Sequence, residues 1–402
     1  MNPWAICTAI CFRDKPLQPL EQLPIIFWTT MIFLRKYSFC NEFRQIKNLL
    51  IWLILLFVYY YKLKSEFLLY NGKYYFGGEM NPGEKYGIVA GVPANSASTL
   101  FMIGSLPIRT YSITMLLGML AAILTISFFW KREKYKFEIL YTLIVIVIPT
   151  AIVGARLWDL VEVALYDPNF NWSSWWKIWE GGLSIQGGVL LSAAAGCLYV
   201  YHKRHEIDFR KAIDIIIPTI LIGQVIGRWG NYANHELYGK VDWDGSSVLI
   251  FGKSFAQNMF ISDALSQKLN QPGLFRYPLF LYEGLINLAG YIILVWVINL
   301  FGLVKPGTNA GFYFIWYGVV RLALEPLRQH AYDIYTIAAL VYIALGSILF
   351  IYHTYISPVH YIKVKQKYRY VYQMAHPQAY VNYINKTRLF DKNKKEYISL
   401  AY

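Results

Sequence analysis

Residues 212–226 (AIDIIIPTILIGQVI) run without a break into Gly227-Arg228-Trp229-Gly230-Asn231-Tyr232-Ala233-Asn234-His235-Glu236-Leu237-Tyr238-Gly239. The first part is long and mostly apolar and has the character of a membrane helix. The second is rich in charge and amides, is bracketed by glycine, and begins where that helix is expected to end. Placing an arginine near hydrocarbon costs roughly 2.5–3.5 kcal/mol at a helix centre. A chain that carries such a group gives it a partner or a task, so the cluster favours an enzyme over a membrane scaffold.

The rest of the chain agrees with a membrane setting. It is 56% hydrophobic and 15% charged, where a soluble protein carries about 25% charge. Apolar segments at 49–61, 111–130, 139–158, 181–201, 212–226, 277–301, 311–325 and 334–352 approach the ~20 residues that cross a bilayer. The expected class is an all-α polytopic membrane protein. Segment 49–61 is short for a span, and 23–34 is shorter still and suits an interfacial helix. Asp14 and Pro16 interrupt any signal-peptide pattern, so targeting is expected to come from the helices themselves.

Lysine and arginine in the loops set the orientation. Four lie in 131–138, four in 202–212 and nine after residue 352, against one in 159–180. By the positive-inside rule the first three regions are cytoplasmic, together with 302–310, and 62–110, 159–180, 228–276 and 326–333 lie outside. The formal net charge of +14 follows from this loop bias and does not point to nucleic acid. Cys7, Cys11, Cys40 and Cys197 avoid the predicted external loops, so neither a disulfide nor a metal site is expected.

The expected organisation is an N-terminal extension, 1–80, with a probable spanning helix at 49–61; a membrane core, 81–355; and a basic cytoplasmic tail, 356–402. The stretch 228–276 is too long for a plain loop and reads as a small external subdomain. It has turn-like Gly245 and Gly252 and a short amphipathic helix near 262–269. The tail reads as a solvated or lipid-touching extension.

Polar residues of interest gather at the outer ends of the helices. Arg321 and Glu325 are spaced i, i+4 and share a helix face. They form either a self-neutralising anchor or an arginine held by a carboxylate so that its fork meets a phosphate. Arg228 on another helix supports the second. Gly181-Gly182-Leu183-Ser184-Ile185-Gln186-Gly187-Gly188 fits tight helix packing, or a ligand against open amides at a helix start. Glu236, Glu283 and Tyr282 are candidate acid–base, orienting or structural groups. His235 alone reads as a loop histidine. Tyr111 opens a helix after Arg109.

Together these motifs resemble the prolipoprotein diacylglyceryl transferase family. The signature-like block runs Gly227-Arg228-x-Gly230-Asn231-Tyr232-x-Asn234-x-Glu236-x-x-Gly239. In order along the chain stand Ile108-Arg109-Thr110-Tyr111, Gly154-Ala155-Arg156-Leu157, the glycine-bracketed Ser184 segment, Tyr277-Pro278-x-x-Leu281-Tyr282-Glu283, and Tyr317-Gly318-x-x-Arg321-x-x-x-Glu325. The resemblance covers about residues 80–355. It implies a seven-helix bacterial plasma-membrane enzyme, to which this chain adds the helix at 49–61. It also implies transfer of a diacylglyceryl group from phosphatidylglycerol to the lipobox cysteine of a prolipoprotein, releasing glycerol 1-phosphate, with no metal or organic cofactor.

On that resemblance Arg228, Arg321, Glu236, Asn231 and Tyr111 are the expected catalytic set. Arg228, Arg321, Gln186, Asn234, Gly239, Glu283, Tyr282 and Glu325 are the expected substrate-binding set. Most members carry histidine where this chain has Gln186, and glutamine accepts no proton at neutral pH. His235 is then the candidate substitute base, and an impaired relative is an alternative. A lipid-binding or transport protein using the same arginines is the rival from another class. No internal repeat supports transport, and a metal-dependent head-group transferase would need a carboxylate cluster that is not evident.

Overall fold

The computed structural model describes residues 83–389, apart from 105, 167–174, 177–181 and 332. The chain divides into two units, Met1–Glu79 and Met80–Tyr402, and every described residue belongs to the second. The expected helices at 23–34 and 49–61 lie outside the described residues.

The frame is helical: α1 (Thr110–Arg132), α2 (Phe137–Tyr166), α3 (Ile185–His202), α4 (Phe209–Ile216), α5 (Ile220–Ala233), then after a set of short elements α9 (Leu279–Tyr291), α10 (Thr308–Leu324) and α11 (Asp333–Ile351). Segments Ile292–Asn299 and Tyr352–Ile356 extend α9 and α11 with wider π turns. Four of these helical stretches, Thr110–Arg132, Phe137–Leu165, Leu279–Asn299 and Asp333–Ile356, are long and apolar enough to cross a membrane. Their outward faces carry bare aliphatics, such as Leu124 (71% exposed), Val145 (68%) and Ile348 (64%). Aliphatic belts of this extent are tolerable only against lipid. Helix contacts depend instead on small residues. A side chain at Gly154 would strike the Gly187 carbonyl, and one at Gly311 would strike that of Gly346. The backbones of α2 and α3, and of α10 and α11, thus approach closely.

The segment expected as one span, 212–226, is broken. Pro218 sits in a single 3-10 turn, Ile217–Thr219, between α4 and α5, because proline has no N–H for the helical ladder. A second expectation is also corrected. The polar signature does not begin after the helix but inside it, since α5 continues to Ala233 and carries Arg228 and Asn231. Buried Asp214 of α4 accepts hydrogen bonds from the backbone N–H groups of Gly307 (2.7 Å) and Ala310 (2.8 Å). A carboxylate there satisfies donors that a helix start leaves open, and it fixes the origin of the helix that carries Arg321.

At the Arg228 end, short elements form a small body. They are β1 (Val92–Pro93), α6 (Ser246–Leu249), α7 (Lys253–Asn258), β4 (Phe260–Ser262), α8 (Ala264–Lys268) and β5 (Leu274–Phe275). β4 lies between parallel β1 and antiparallel β5, over a core of Ile88, Phe260, Ile261 and Phe275. Residues 83–94, which precede the first long helix, therefore complete this body. Gly245 and Gly252 have φ of 70° and 97°, a region open to glycine. A separate hairpin, β2 (Thr99–Ile103) and β3 (Leu106–Arg109), leads into α1.

The tail is folded. β6 (Tyr361–Gln366) pairs with β7 (Arg369–Met374), and α12 (Pro377–Lys386) packs Tyr380 and Ile384 on Val359. Tyr361 donates to Asp208 (2.7 Å), whose other oxygen caps α4 through Arg210 N. Arg204 donates to the Thr387 carbonyl and hydroxyl. The expectation of a solvated or lipid-touching extension did not foresee this fold, because the buried tyrosines, spaced along a Lys-rich run, look like surface in a charge count. Tyr361→Phe is expected to lower unfolding free energy by about 1–2 kcal/mol, since it leaves a buried acceptor unmet, with activity unchanged. Thermal unfolding beside an activity assay checks both.

Candidate functional site

The site is organised by how α5 ends. Ala233 is its last residue, Asn234 caps it, and the next residue, His235, is left-handed at φ 53°. His235 N–H donates to the Tyr232 carbonyl (3.3 Å) and Glu236 N–H to that of Asn231 (3.1 Å). This pair of reverse bonds is the Schellman arrangement, usually built with glycine at the left-handed position. It folds the chain back over the helix end, so that Asn231 Nδ2 donates to Glu236 Oε1 at 2.7 Å. The turn is what brings the Glu236 carboxylate to the arginine-bearing face.

His235 itself is turned away. One ring nitrogen meets Ser96 Oγ and the other Asn258 Oδ1, both at 2.8 Å. The imidazole ties the helix end to the small body, and both its nitrogens are engaged. His235→Ala is expected to retain activity within about threefold while losing two hydrogen bonds and roughly 1–2 kcal/mol of stability. Activity measured beside thermal unfolding separates this from a relocated base, which would give near-total loss with an unchanged midpoint.

From Asn231 a chain of ion pairs crosses three elements. Arg228 donates through Nη1 to Asn231 Oδ1 (3.2 Å) and through Nη2 to Glu283 of α9. Glu283, 2% exposed, accepts on its other oxygen from Arg328 Nη2 at 3.0 Å. Arg328 Nε stands 3.3 Å from Glu325, which also meets Arg321 Nε at 3.2 Å. Three arginines and two glutamates are thus strung together, and Glu236 joins them through the Asn231 amide. Burial, aided by the Arg321 charge, lowers the Arg328 guanidinium from its ordinary value, and Glu283 and Glu325 oppose that.

The arginines are not equivalent. Arg228 has both Nη groups committed. Arg321 meets its carboxylate through Nε and lies with its guanidinium carbon 4.8 Å from the centre of the Tyr335 ring. Its two Nη groups have no hydrogen-bond partner among the described residues. An open Nη edge on an oriented guanidinium suits a two-pronged grip on phosphate.

Sequence reasoning missed Arg328. Its signal was present in Glu325-Pro326-Leu327-Arg328, an i, i+3 pair at a helix end. The backbone of Arg328 bridges to Gly239, and Lys240 N–H donates to the Leu327 carbonyl at 3.0 Å. The end of the signature therefore positions Arg328. Gly239 does not stand in a left-handed turn, for its φ is not positive. What demands glycine is proximity: a Cβ would lie 2.8 Å from Tyr277 Cβ and 2.9 Å from its carbonyl oxygen. The left-handed positions in this loop are His235 and Leu237 (φ 55°).

Tyr111 packs its ring on Gly230, where a Cβ would sit 2.6 Å from it. Asn234 Oδ1 accepts from Ser98 N–H at 3.3 Å, joining the signature to the loop before the hairpin. Tyr282 faces Ser247 and Asp242 of the small body rather than the arginines. Gln186 is exposed on the first turn of α3 and accepts from Ser184 Oγ at 2.7 Å. Close by, Arg156 donates to the carbonyls of Trp175 and Gly182 and to Asp159. Gln186 belongs to this second cluster and makes no bond within the arginine chain.

A helical membrane frame with a buried arginine–glutamate chain at one end, and one guanidinium edge left open, defines a membrane protein equipped to hold an anionic group. Residues 98–353 match the model of the prolipoprotein diacylglyceryl transferase family. Similar proteins bear the name phosphatidylglycerol–prolipoprotein diacylglyceryl transferase. One from Mycoplasmopsis pulmonis is 49% identical over 70% of this chain and 87% of the relative. One from Mycoplasmoides gallisepticum is 30% identical over 75% and 88%, and one from Streptococcus mutans 33% identical over 56% and 81%. The chain belongs to the prolipoprotein diacylglyceryl transferase family.

Proposed function

We propose that this protein moves the sn-1,2-diacylglyceryl group of phosphatidylglycerol onto the lipobox cysteine thiol of prolipoproteins, in a bacterial plasma membrane. The site faces the outer leaflet and the C-terminal tail the cytoplasm, as the distribution of loop charge favours. The observation that carries the assignment is the open Nη edge of Arg321, oriented by Glu325 beside the Arg228–Glu283–Arg328 chain.

In this mechanism Arg321 grips the phosphate, with Arg228 and Arg328 supplying positive charge around it. The thiol proton passes to Glu236, which has one oxygen on Asn231 and the other unengaged among the described residues. The sulfur then attacks the glyceryl carbon that bears the phosphate. A C–S bond forms, the C–O bond breaks, and its electron pair leaves on glycerol 1-phosphate. The leaving dianion gains charge during the step, so fixed guanidinium groups stabilise the transition state more than the ground state. Glu283 cannot take the proton, because both its oxygens are occupied by arginines. Gln186 is not a base in this scheme, and its place at Ser184 supports a positioning role at the start of α3.

The test is purified protein in phosphatidylglycerol liposomes with a lipobox peptide, following peptide mass and glycerol phosphate release. Wild type is expected to add a diacylglyceryl mass to the cysteine, and Glu236→Gln to lose this activity. Activity confined to Gln186→His would mark an impaired relative. Lipid binding without mass gain in either protein would move the assignment to a non-catalytic lipid-binding protein.

A further inference from the structure

One helical turn into the membrane from the Arg228–Glu283 pair lies a second polar layer that the mechanism above does not use. Gln224 precedes Arg228 by four residues on α5, and Asn287 follows Glu283 by four on α9. Since Arg228 and Glu283 are bonded and the two helices run in opposite senses, Gln224 and Asn287 share one level, about 6 Å deeper. Asn287 is 0% exposed, and neither its Nδ2 nor its Oδ1 has a hydrogen-bond partner among the described residues. Gln224 donates to the Tyr313 hydroxyl at 3.4 Å, and its Oε1 is unpartnered. Trp316 of α10 places its indole against Gly290, three residues beyond Asn287, and its Nε1 is likewise buried without a partner.

Two N–H donors buried without acceptors, on adjacent helices inside a membrane protein, are unusual. Orphaned buried N–H groups are rarer than under-satisfied carbonyl oxygens, and hydrocarbon offers them nothing. A ligand that reaches this layer from the arginines needs acceptors one helical turn below its phosphate. In a diacyl glycerophospholipid that is the place of the ester carbonyls.

We propose that Asn287, with Trp316 alongside it, reads the ester carbonyls of the lipid substrate and makes this site selective for diester over diether phospholipid. The proposal rests on the phosphate lying at Arg321. Asn287 and Trp316 are positioning residues, acting on the lipid backbone while the arginines hold its head.

The experiment compares dioleoyl phosphatidylglycerol with its dialkyl-ether analogue in liposomes for wild type, Asn287→Leu, Trp316→Phe and Arg321→Ala. Wild type is expected to show a KM about tenfold lower for the diester, the worth of one well-made hydrogen bond. Asn287→Leu raises the diester KM by about that tenfold, leaves kcat within threefold, and leaves the ether analogue unchanged. Trp316→Phe moves in the same direction. The melting temperature of lipid-free Asn287→Leu does not fall, because the amide bonds nothing among the described residues. Equal loss on both lipids, no loss, or a lowered melting temperature would overturn the proposal and make the layer a structural or water-filled one. An active Arg321→Ala would remove the phosphate assignment itself. A dead Arg321→Ala beside an Asn287→Leu that treats both lipids alike would remove the ester readout alone.

Discussion

Arg321→Ala is expected to reduce transfer by about 10³-fold or more, the loss typical of removing a group that meets charge formed in a transition state. The chain is expected to stay folded and in the membrane. Glu325 retains Arg328 Nε at 3.3 Å when Arg321 is gone, so no buried carboxylate is stranded. Arg321→Lys keeps the charge but loses the two-pronged edge, and should fall between the two. Peptide mass gain in liposomes, read beside thermal unfolding, checks this. Wild-type activity in Arg321→Ala would sink the phosphate assignment.

Glu283→Leu should act differently, because it strikes the fold first. Glu283 is the shared counter-charge of Arg228 and Arg328, and Arg328 is 4% exposed. Removing one partner from a buried ionic group costs about 3–5 kcal/mol, since the remaining charge is left uncompensated. The expected result is a lower unfolding midpoint together with lost activity, a pairing that Arg321→Ala does not show. Replacing Arg328 by Met in the same chain should restore part of the stability and none of the activity. An unchanged midpoint in Glu283→Leu would mean that the arginines find other partners.

Much of the fold is legible in the sequence. Apolar runs and loop charge are summed over many residues, so the helical membrane class emerges from them readily. Arg228, Asn231, Glu236, Arg321 and Glu325 stood out because polar groups are expensive at those depths. What escaped notice depended on relations between distant segments. The left-handed turn at His235 is usually announced by glycine, and a histidine hides it. The i, i+3 spacing of Glu325 and Arg328 is readable in the sequence, but the pairing of Arg328 with Glu283, 45 positions away, is not. Residues 83–94 and the tail fold onto elements far along the chain, which periodicity cannot foresee. Asn287 sat within an apolar run that also holds Asn299, and nothing in its spacing set it apart.

The arginine chain has one further consequence, for kinetics. Arg228, Arg321 and Arg328 are balanced by Glu236, Glu283 and Glu325, so these six groups sum to zero formal charge. A balanced cluster projects little field beyond its own contacts, unlike the single-signed clefts that draw ligands from solution. The Debye length at physiological salt is about 8 Å, which shortens that reach further. Capture of lipid is therefore a matter of lateral diffusion within the bilayer, followed by recognition at contact distance. The rate at which substrate arrives should depend on how much anionic lipid the membrane holds and scarcely at all on ionic strength.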